Sequence, residues 1–151
     1  MRLKRVVQCG FGALSGCLPL KALVKSFALR HINVVYYHYV GDTNSYYGEF
    51  YDGCTVERFR RDLQALRKVF EIVPLAKVIE FNQGMHTPRV PYLAVTFDDG
   101  FNLCRKEVLQ ALDEYKIKAT SFVITSCLDN RNLMWRNKLS VIRAAVSEEE
   151  F

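Results

Sequence analysis

The sequence lacks the signatures of several common functional classes. Its five cysteines are scattered and include no Cys-x-x-Cys pair, which excludes a zinc knuckle of that type and argues against a disulfide framework. It has no glycine-rich phosphate loop, no N-x-S/T acceptor site and no internal repeat. Its three histidines, His31, His38 and His86, include no pair four residues apart. The cysteines are therefore interpreted as small apolar residues of a reducing compartment.

Acidic residues are missing from the start of the chain, where the first carboxylate is Asp42. Residues 1–30 hold six Lys and Arg residues, so the remaining residues sum to about −1 although the whole chain carries +5. A nucleic-acid-binding surface would spread its basic residues over a folded face. We therefore treat 1–30 as a basic N-terminal extension and expect no nucleic-acid partner.

Three roles stay open for this extension. A charged start followed by a moderately apolar stretch is typical of a signal peptide, and the LSGC stretch ending at Cys17 resembles a lipoprotein cleavage box. Lys21 ends the apolar stretch short of the ~20 residues that span a bilayer. A basic membrane-surface segment and a plain soluble extension are the other interpretations. A cytoplasmic or membrane-associated location is favoured, with export to the cell envelope as the alternative.

Residues 31–151 have the composition of a globular domain, since half of the whole chain is apolar and a quarter is charged. Runs of β-branched and aromatic residues alternate with helical periodicity, which predicts parallel βαβ units and an α/β fold of about four parallel strands. The predicted strands are 32–40, 70–75, 92–97 and 118–125. Four helices are predicted: one that starts after the N-cap Thr55, two at 76–81 and 102–115, and a last one marked by Trp135, Leu139, Ile142 and Val146.

The stretch YLAVTFDDGF at 92–101 is the main functional candidate, because an apolar strand ends in Asp98 and Asp99. Catalytic groups of α/β folds lie at the carboxyl ends of the strands. Asp-Gly is also common turn chemistry, and Asp99 would serve as a helix cap. Two adjacent carboxylates repel, and a cation between them removes that cost. From these residues alone, a turn and a metal site both stay open.

VTFDDG at 95–100 and KATSFVIT at 118–125 together resemble the polysaccharide deacetylases, the nodulation-protein-B homology domain of carbohydrate esterase family 4. VVYYHYV is similar to that family's opening strand. TVERFRRDLQALRKVFEIVPLAKVI is similar to its first helix and second strand. The resemblance covers about residues 32–125 in the family's order.

The resemblance implies a distorted (β/α) barrel that removes acetyl groups from the N-acetylated sugars of a polysaccharide or oligosaccharide. It implies Asp98 as the general base and Asp99 as a ligand of a divalent metal, commonly zinc. Metal-bound water has a lowered pKa, and a carboxylate that takes its proton leaves a hydroxide nucleophile.

Four further residues are pocket candidates. His38 ends the first predicted strand, where it faces either the rim that carries Asp99 or the packed interior. Strand alternation places Thr96 on the side to which Asp98 points. Tyr46 and Tyr47 lie in an aromatic loop that would stack on a sugar or cover the edge of the core.

The resemblance stops before the family's later His-(Ser/Thr)-x-x-His block, because all three histidines precede Asp98. A catalytic zinc takes about three protein ligands, and a (β/α) barrel takes roughly 200 residues or more. We therefore expect a partial, incomplete barrel: the N-terminal portion of a longer deacetylase, weakly active or inactive alone. One alternative is a non-enzymatic relative that binds glycan or partners. The least favoured alternative is a phosphotransfer domain, whose haloacid-dehalogenase-like form would need Asp-x-Asp, with an acidic residue where Gly100 stands.

Overall fold

The computed structural model describes residues 24–43, 53–85, 88–101 and 106–146. In chain order, the elements are β1 (Val34–Tyr37), α1 (Val56–Leu66), β2 (Glu71–Ile72), α2 (Leu75–Asn82), β3 (Tyr92–Phe97), α3 (Lys106–Glu114), β4 (Thr120–Ser121), a 3-10 segment (Thr125–Asn130) and α4 (Trp135–Ala145). A short helical stretch at 24–28 precedes β1. Over the described part of the chain, no helix is both long and apolar enough to span a membrane.

All four strands are parallel, and β3 pairs with each of the other three. The backbone amides of Ala94 and Asp98 bond to the β1 side of β3. The carbonyl oxygens of Leu93 and Phe97 accept bonds from Val73 and Phe122, next to β2 and β4. Since successive residues of a strand bond to opposite sides, β2 and β4 share one edge of β3 and β1 has the other. The α/β class and the four parallel strands are confirmed, and the sheet is open over the described residues.

β1, β2 and β4 are shorter than the sequence predicts, whereas β3 spans its predicted residues 92–97. The predicted strand 118–125 is reduced to Thr120–Ser121, and the predicted strand 70–75 to Glu71–Ile72. β3 is six residues long, and β2 and β4 divide one of its edges between them. Each of these two strands therefore finds only two partner residues.

The core lies mainly on the face of β3 that carries Val95 and Phe97. Phe59 and Leu63 of α1 and Val108 of α3 pack there. Thr55 caps α1 as predicted, because its side-chain oxygen accepts a hydrogen bond from the Arg58 amide at 3.2 Å. Ala94, on the other face, packs against Val73 of the β2–α2 connection and Val78 of α2. Two faces covered by helices account for the uninterrupted apolar run of β3.

Two further features concern the ends of the described chain. Ala28, within the predicted N-terminal extension, is buried against Leu66, Phe70 and Leu93. The domain boundary at residue 30 stays a prediction.

The predicted last helix is present, but its apolar stripe faces outward: Trp135 is 66% exposed, and Leu139 and Ile142 are exposed. Among the α4 side chains that the structure describes, Asn137 and Ser140 are the buried ones.

Candidate active site at the carboxyl end of β3

Asp98 directly follows the last residue of β3, and its backbone belongs to the sheet. Its amide donates a hydrogen bond to the carbonyl oxygen of Tyr37 at 2.9 Å. The side chain is half-buried, whereas the preceding strand residues from Leu93 to Phe97 are buried. Asp98 therefore stands where the buried strand first reaches solvent, at the carboxyl edge of the sheet.

Asp99 and Gly100 turn the chain sharply away from the strand. Asp99 has φ +65° and Gly100 has φ +77°, so two consecutive residues adopt the left-handed conformation. Glycine enters that region without steric cost, and aspartate is among the few other residues enriched there. The turn thus begins at Asp99, the residue before Gly100. Strained backbone of this kind concentrates at functional sites.

His38 lies at the same edge of the sheet as Asp98. Tyr37 pairs in register with Phe97, so the residues that follow them, His38 and Asp98, leave neighbouring parallel strands side by side. The half-buried His38 ring packs edge-on against the ring of Tyr36, with 5.5 Å between centroids. The structure therefore brings His38 to the predicted rim and also gives it an aromatic packing contact.

Of the other three pocket candidates, only Thr96 lies within the described residues. Thr96 is only 2% exposed, and its hydroxyl lies 3.5 Å from the carbonyl oxygen of Val35, within hydrogen-bond reach. Its hydroxyl therefore sits inside the sheet beneath the rim. Tyr46 and Tyr47 lie outside the described residues, as does His86.

A partly buried polar cluster beneath β1 was not anticipated from the sequence. The Tyr37 hydroxyl lies 3.5 Å from Asp62 Oδ2 of α1, and burial raises the pKa of Tyr37 far above its usual range. Burial also raises the pKa of the Cys54 thiol, to about 11. Both groups are neutral near pH 7, which makes Cys54 a poor nucleophile and metal ligand. The only sequence signal for the cluster was strand alternation, which sends Tyr37 to the α1 side.

The described residues do not by themselves form a complete metal site. No group of three or more His, Cys, Asp or Glu side chains suitable for a metal occurs in 24–43, 53–85, 88–101 and 106–146. A catalytic zinc needs about three protein ligands. The donor set at this rim therefore does not fit a tightly bound metal unless further ligands come from elsewhere.

Comparison with known proteins finds a family model that matches the segment carrying the Asp98–Asp99 motif. The model of the family described as "Polysaccharide deacetylase" matches residues 86–148, which include Asp98 and Asp99. None of the curated proteins matches the chain.

Two solved structures share the fold. The Streptococcus pyogenes deacetylase PplD, solved in complex with acetate, is 20% identical and superposes with a TM-score of 0.56 over 71% of this chain and 50% of its own. A de-N-acetylase from Aggregatibacter actinomycetemcomitans is 16% identical, with a TM-score of 0.54 over 77% of this chain and 52% of its own. The chain thus spans about half the length of each.

These likenesses show the fold, and the open four-stranded sheet corresponds to an incomplete deacetylase-type barrel. Over residues 86–148 the chain is therefore similar to the polysaccharide deacetylases, and its described residues share the deacetylase-type fold.

Proposed function

We propose that the chain contributes the Asp98–Asp99 part of the active site of a hydrolase that removes acetyl groups from N-acetylated sugars of a polysaccharide. One observation carries the proposal: both aspartates lie at the carboxyl end of the central parallel strand, inside the segment that matches the family. Chemistry in parallel α/β folds is concentrated at that edge. The full protein's activity, substrate and partners are part of this proposal.

In this proposal, Asp98 is the general base. A base must lie within hydrogen-bond reach of the proton it takes, and Asp98 is the first half-buried side chain after a buried strand. Its amide is fixed to Tyr37, so the carboxylate is carried by the rigid part of the sheet rather than by a loop. A carboxylate held there accepts a proton from a water that attacks the acetamide carbonyl carbon.

Asp99 is proposed as one ligand of a divalent metal, with zinc as the first candidate. The left-handed conformation at Asp99 breaks the strand alternation that would otherwise send its side chain away from Asp98. Because no three-ligand group exists among the described residues, the remaining ligands have to come from residues outside them. We therefore assign no catalytic step to the metal.

Substrate contacts are proposed for the rim around these aspartates. His38 is the nearest candidate in the fold, since it leaves β1 beside Asp98. Thr96 supports the rim from below, and Tyr46 and Tyr47 are proposed to stack on sugar rings. Each of these roles stays a prediction from the sequence.

The test is acetate release from N-acetylglucosamine oligomers by the full-length protein, before and after treatment with a chelator and again after zinc is restored. The proposal expects acetate release that chelation removes and zinc restores. Oligomer binding without acetate release in the zinc-loaded protein would favour the alternative, a non-enzymatic glycan-binding relative. Release that survives chelation would contradict the metal dependence alone.

A further inference from the structure

Gly100 packs tightly against the chain that leaves β4. A Cβ atom placed on Gly100 would lie 3.0 Å from Val123 Cγ1, 3.4 Å from Val123 Cβ and 3.5 Å from Val123 Cα. Carbon atoms in contact are optimally about 3.5–4.0 Å apart. The closest of these approaches is therefore too short, and it is to a side-chain atom. A side chain at position 100 would require Val123, which is 42% exposed, to shift by a few tenths of an ångström.

Gly84, the second glycine with positive φ in the described residues, distinguishes backbone conformation from lack of space as reasons for glycine. Gly84 has φ +80°, close to the +77° of Gly100, but a Cβ placed on it would meet nothing within 4 Å. Both positions therefore favour glycine for its backbone conformation. Only at Gly100 does the lack of space for a Cβ atom also favour glycine.

Val123 is well placed to act on the turn because the preceding residue is tied to β3. The Phe122 amide donates a hydrogen bond to the carbonyl oxygen of Phe97 at 2.8 Å. Phe97 is the residue immediately before Asp98. Val123 therefore meets the turn from a backbone that is already anchored to the last residue of β3.

We propose that Val123 is a positioning residue whose side chain, through its contact with Gly100, sets the course of the Asp98–Gly100 turn. Left-handed conformations at non-glycine residues persist where the surroundings over-determine them, and Asp99 is such a residue. Among the described residues, the backbone hydrogen bonds of the β3 ladder reach Asp98 but not Asp99. The packing of Val123 on Gly100 supplies the constraint on the far side of the turn. Its catalytic consequence rests on the proposed function, whereas its effect on the turn does not.

The first experiment measures the turn directly. Amide NMR signals of Asp98 and Asp99 are compared in the full-length protein and in its Gly100→Ala, Gly84→Ala, Val123→Ala and Gly100→Ala/Val123→Ala variants. We expect Gly100→Ala to move both signals and Gly84→Ala to leave them in place. The double variant should return them toward their original positions, since only contacts of 3.4 Å and longer then remain. If Gly100→Ala fails to fold, the single variant Val123→Ala decides, with faster amide hydrogen exchange at Asp99 expected.

The second experiment measures acetate release by the same variants of the full-length protein. Because a displacement of about 1 Å costs on the order of 100-fold in rate, we expect Gly100→Ala to lower kcat about 10–100-fold with little change in KM. Adding Val123→Ala should recover most of that loss, which a merely destabilised protein would not show.

Equal spectra and equal rates for Gly100→Ala and the double variant would overturn the positioning role, as would unchanged exchange in Val123→Ala. Spectral rescue in a protein whose unmutated form releases no acetate would support the positioning of the turn and contradict the proposed function. The two failures are therefore distinguishable.

Discussion

The backbone amide of Asp98 donates a hydrogen bond to the carbonyl oxygen of Tyr37, with 2.9 Å between nitrogen and oxygen. This bond extends the β1–β3 ladder one residue beyond the paired strands, which end at Tyr37 and Phe97. The proposed base is therefore part of the sheet, and His38 emerges beside it. Asp99, one residue later, has already left the strand conformation.

Alkaline pH should destabilise the domain through Tyr37 and Cys54. Burial raises the pKa of Cys54 from 9.0 to about 11 and raises that of Tyr37 above its usual 10.0. The unfolded chain loses these protons first, so the stabilisation is fully present below pH 9. It is lost as the pH rises from 9 to 11 for Cys54, and from 10 upward for Tyr37. Urea unfolding across pH 7–11 measures this decline.

The matched variants for that measurement are Cys54→Ala and Tyr37→Phe. Each removes one titrating group, so each should flatten its own part of the pH dependence whatever it does to stability at pH 7. A decline that is identical in both variants and in the unmodified chain would rule out these two groups as its source.

Asn33 should contribute measurably to stability because its side-chain amide bonds to three backbone carbonyls, two just before β1 and one on β3. Its Nδ2 donates toward the carbonyl oxygens of Ala28 at 2.9 Å, His31 at 3.1 Å and Tyr92 at 2.9 Å. Asn33→Ala leaves partly buried acceptors without this donor, which costs about 1–3 kcal/mol. Chemical denaturation measures the loss. The control is Gln110→Ala on the exposed side of α3, which should stay within ~0.5 kcal/mol.

Phe59 should be the most costly aromatic residue to truncate beneath the site. Its side chain is fully buried, with its ring centroid 4.9 Å from that of Tyr37 and 5.8 Å from that of Phe97. Phe59→Ala should lower the free energy of unfolding by about 3–5 kcal/mol. Leu109→Ala, at a side chain that is 42% exposed, is the control and should cost far less. Similar losses in the two variants would contradict the assigned core.

The sequence pattern correctly predicted α1 and β3, which depend on residues close together in the chain. α1 follows from the Thr55 cap and the helical spacing of Phe59 and Leu63, and both are present. β3 follows from an apolar run whose faces are both covered by helices. The ends of β2 and β4 could not be predicted in this way. Their lengths depend on how much of one β3 edge each strand occupies, which is a property of the assembled sheet.

The candidate site was predictable to the same extent. Strand order placed Asp98 and Asp99 at the carboxyl edge, and the structure puts them there. The approach of Val123 to Gly100 depends on how the chain after β4 packs beside the end of β3, which no local pattern records. The contact between Tyr37 and Asp62 likewise joins residues 25 positions apart.

Asp98 is proposed as the general base and Asp99 as a metal ligand. Paired variants of the full-length protein test these two roles most directly. Zinc content and acetate release are measured for Asp98→Asn, Asp99→Ala and the control Asp113→Asn, an exposed carboxylate on α3. We expect Asp98→Asn to keep its zinc and lose about 100-fold or more in kcat, the usual contribution of a general base. Asp99→Ala should lose both zinc and activity, and Asp113→Asn neither. Unchanged acetate release by Asp98→Asn would contradict the account.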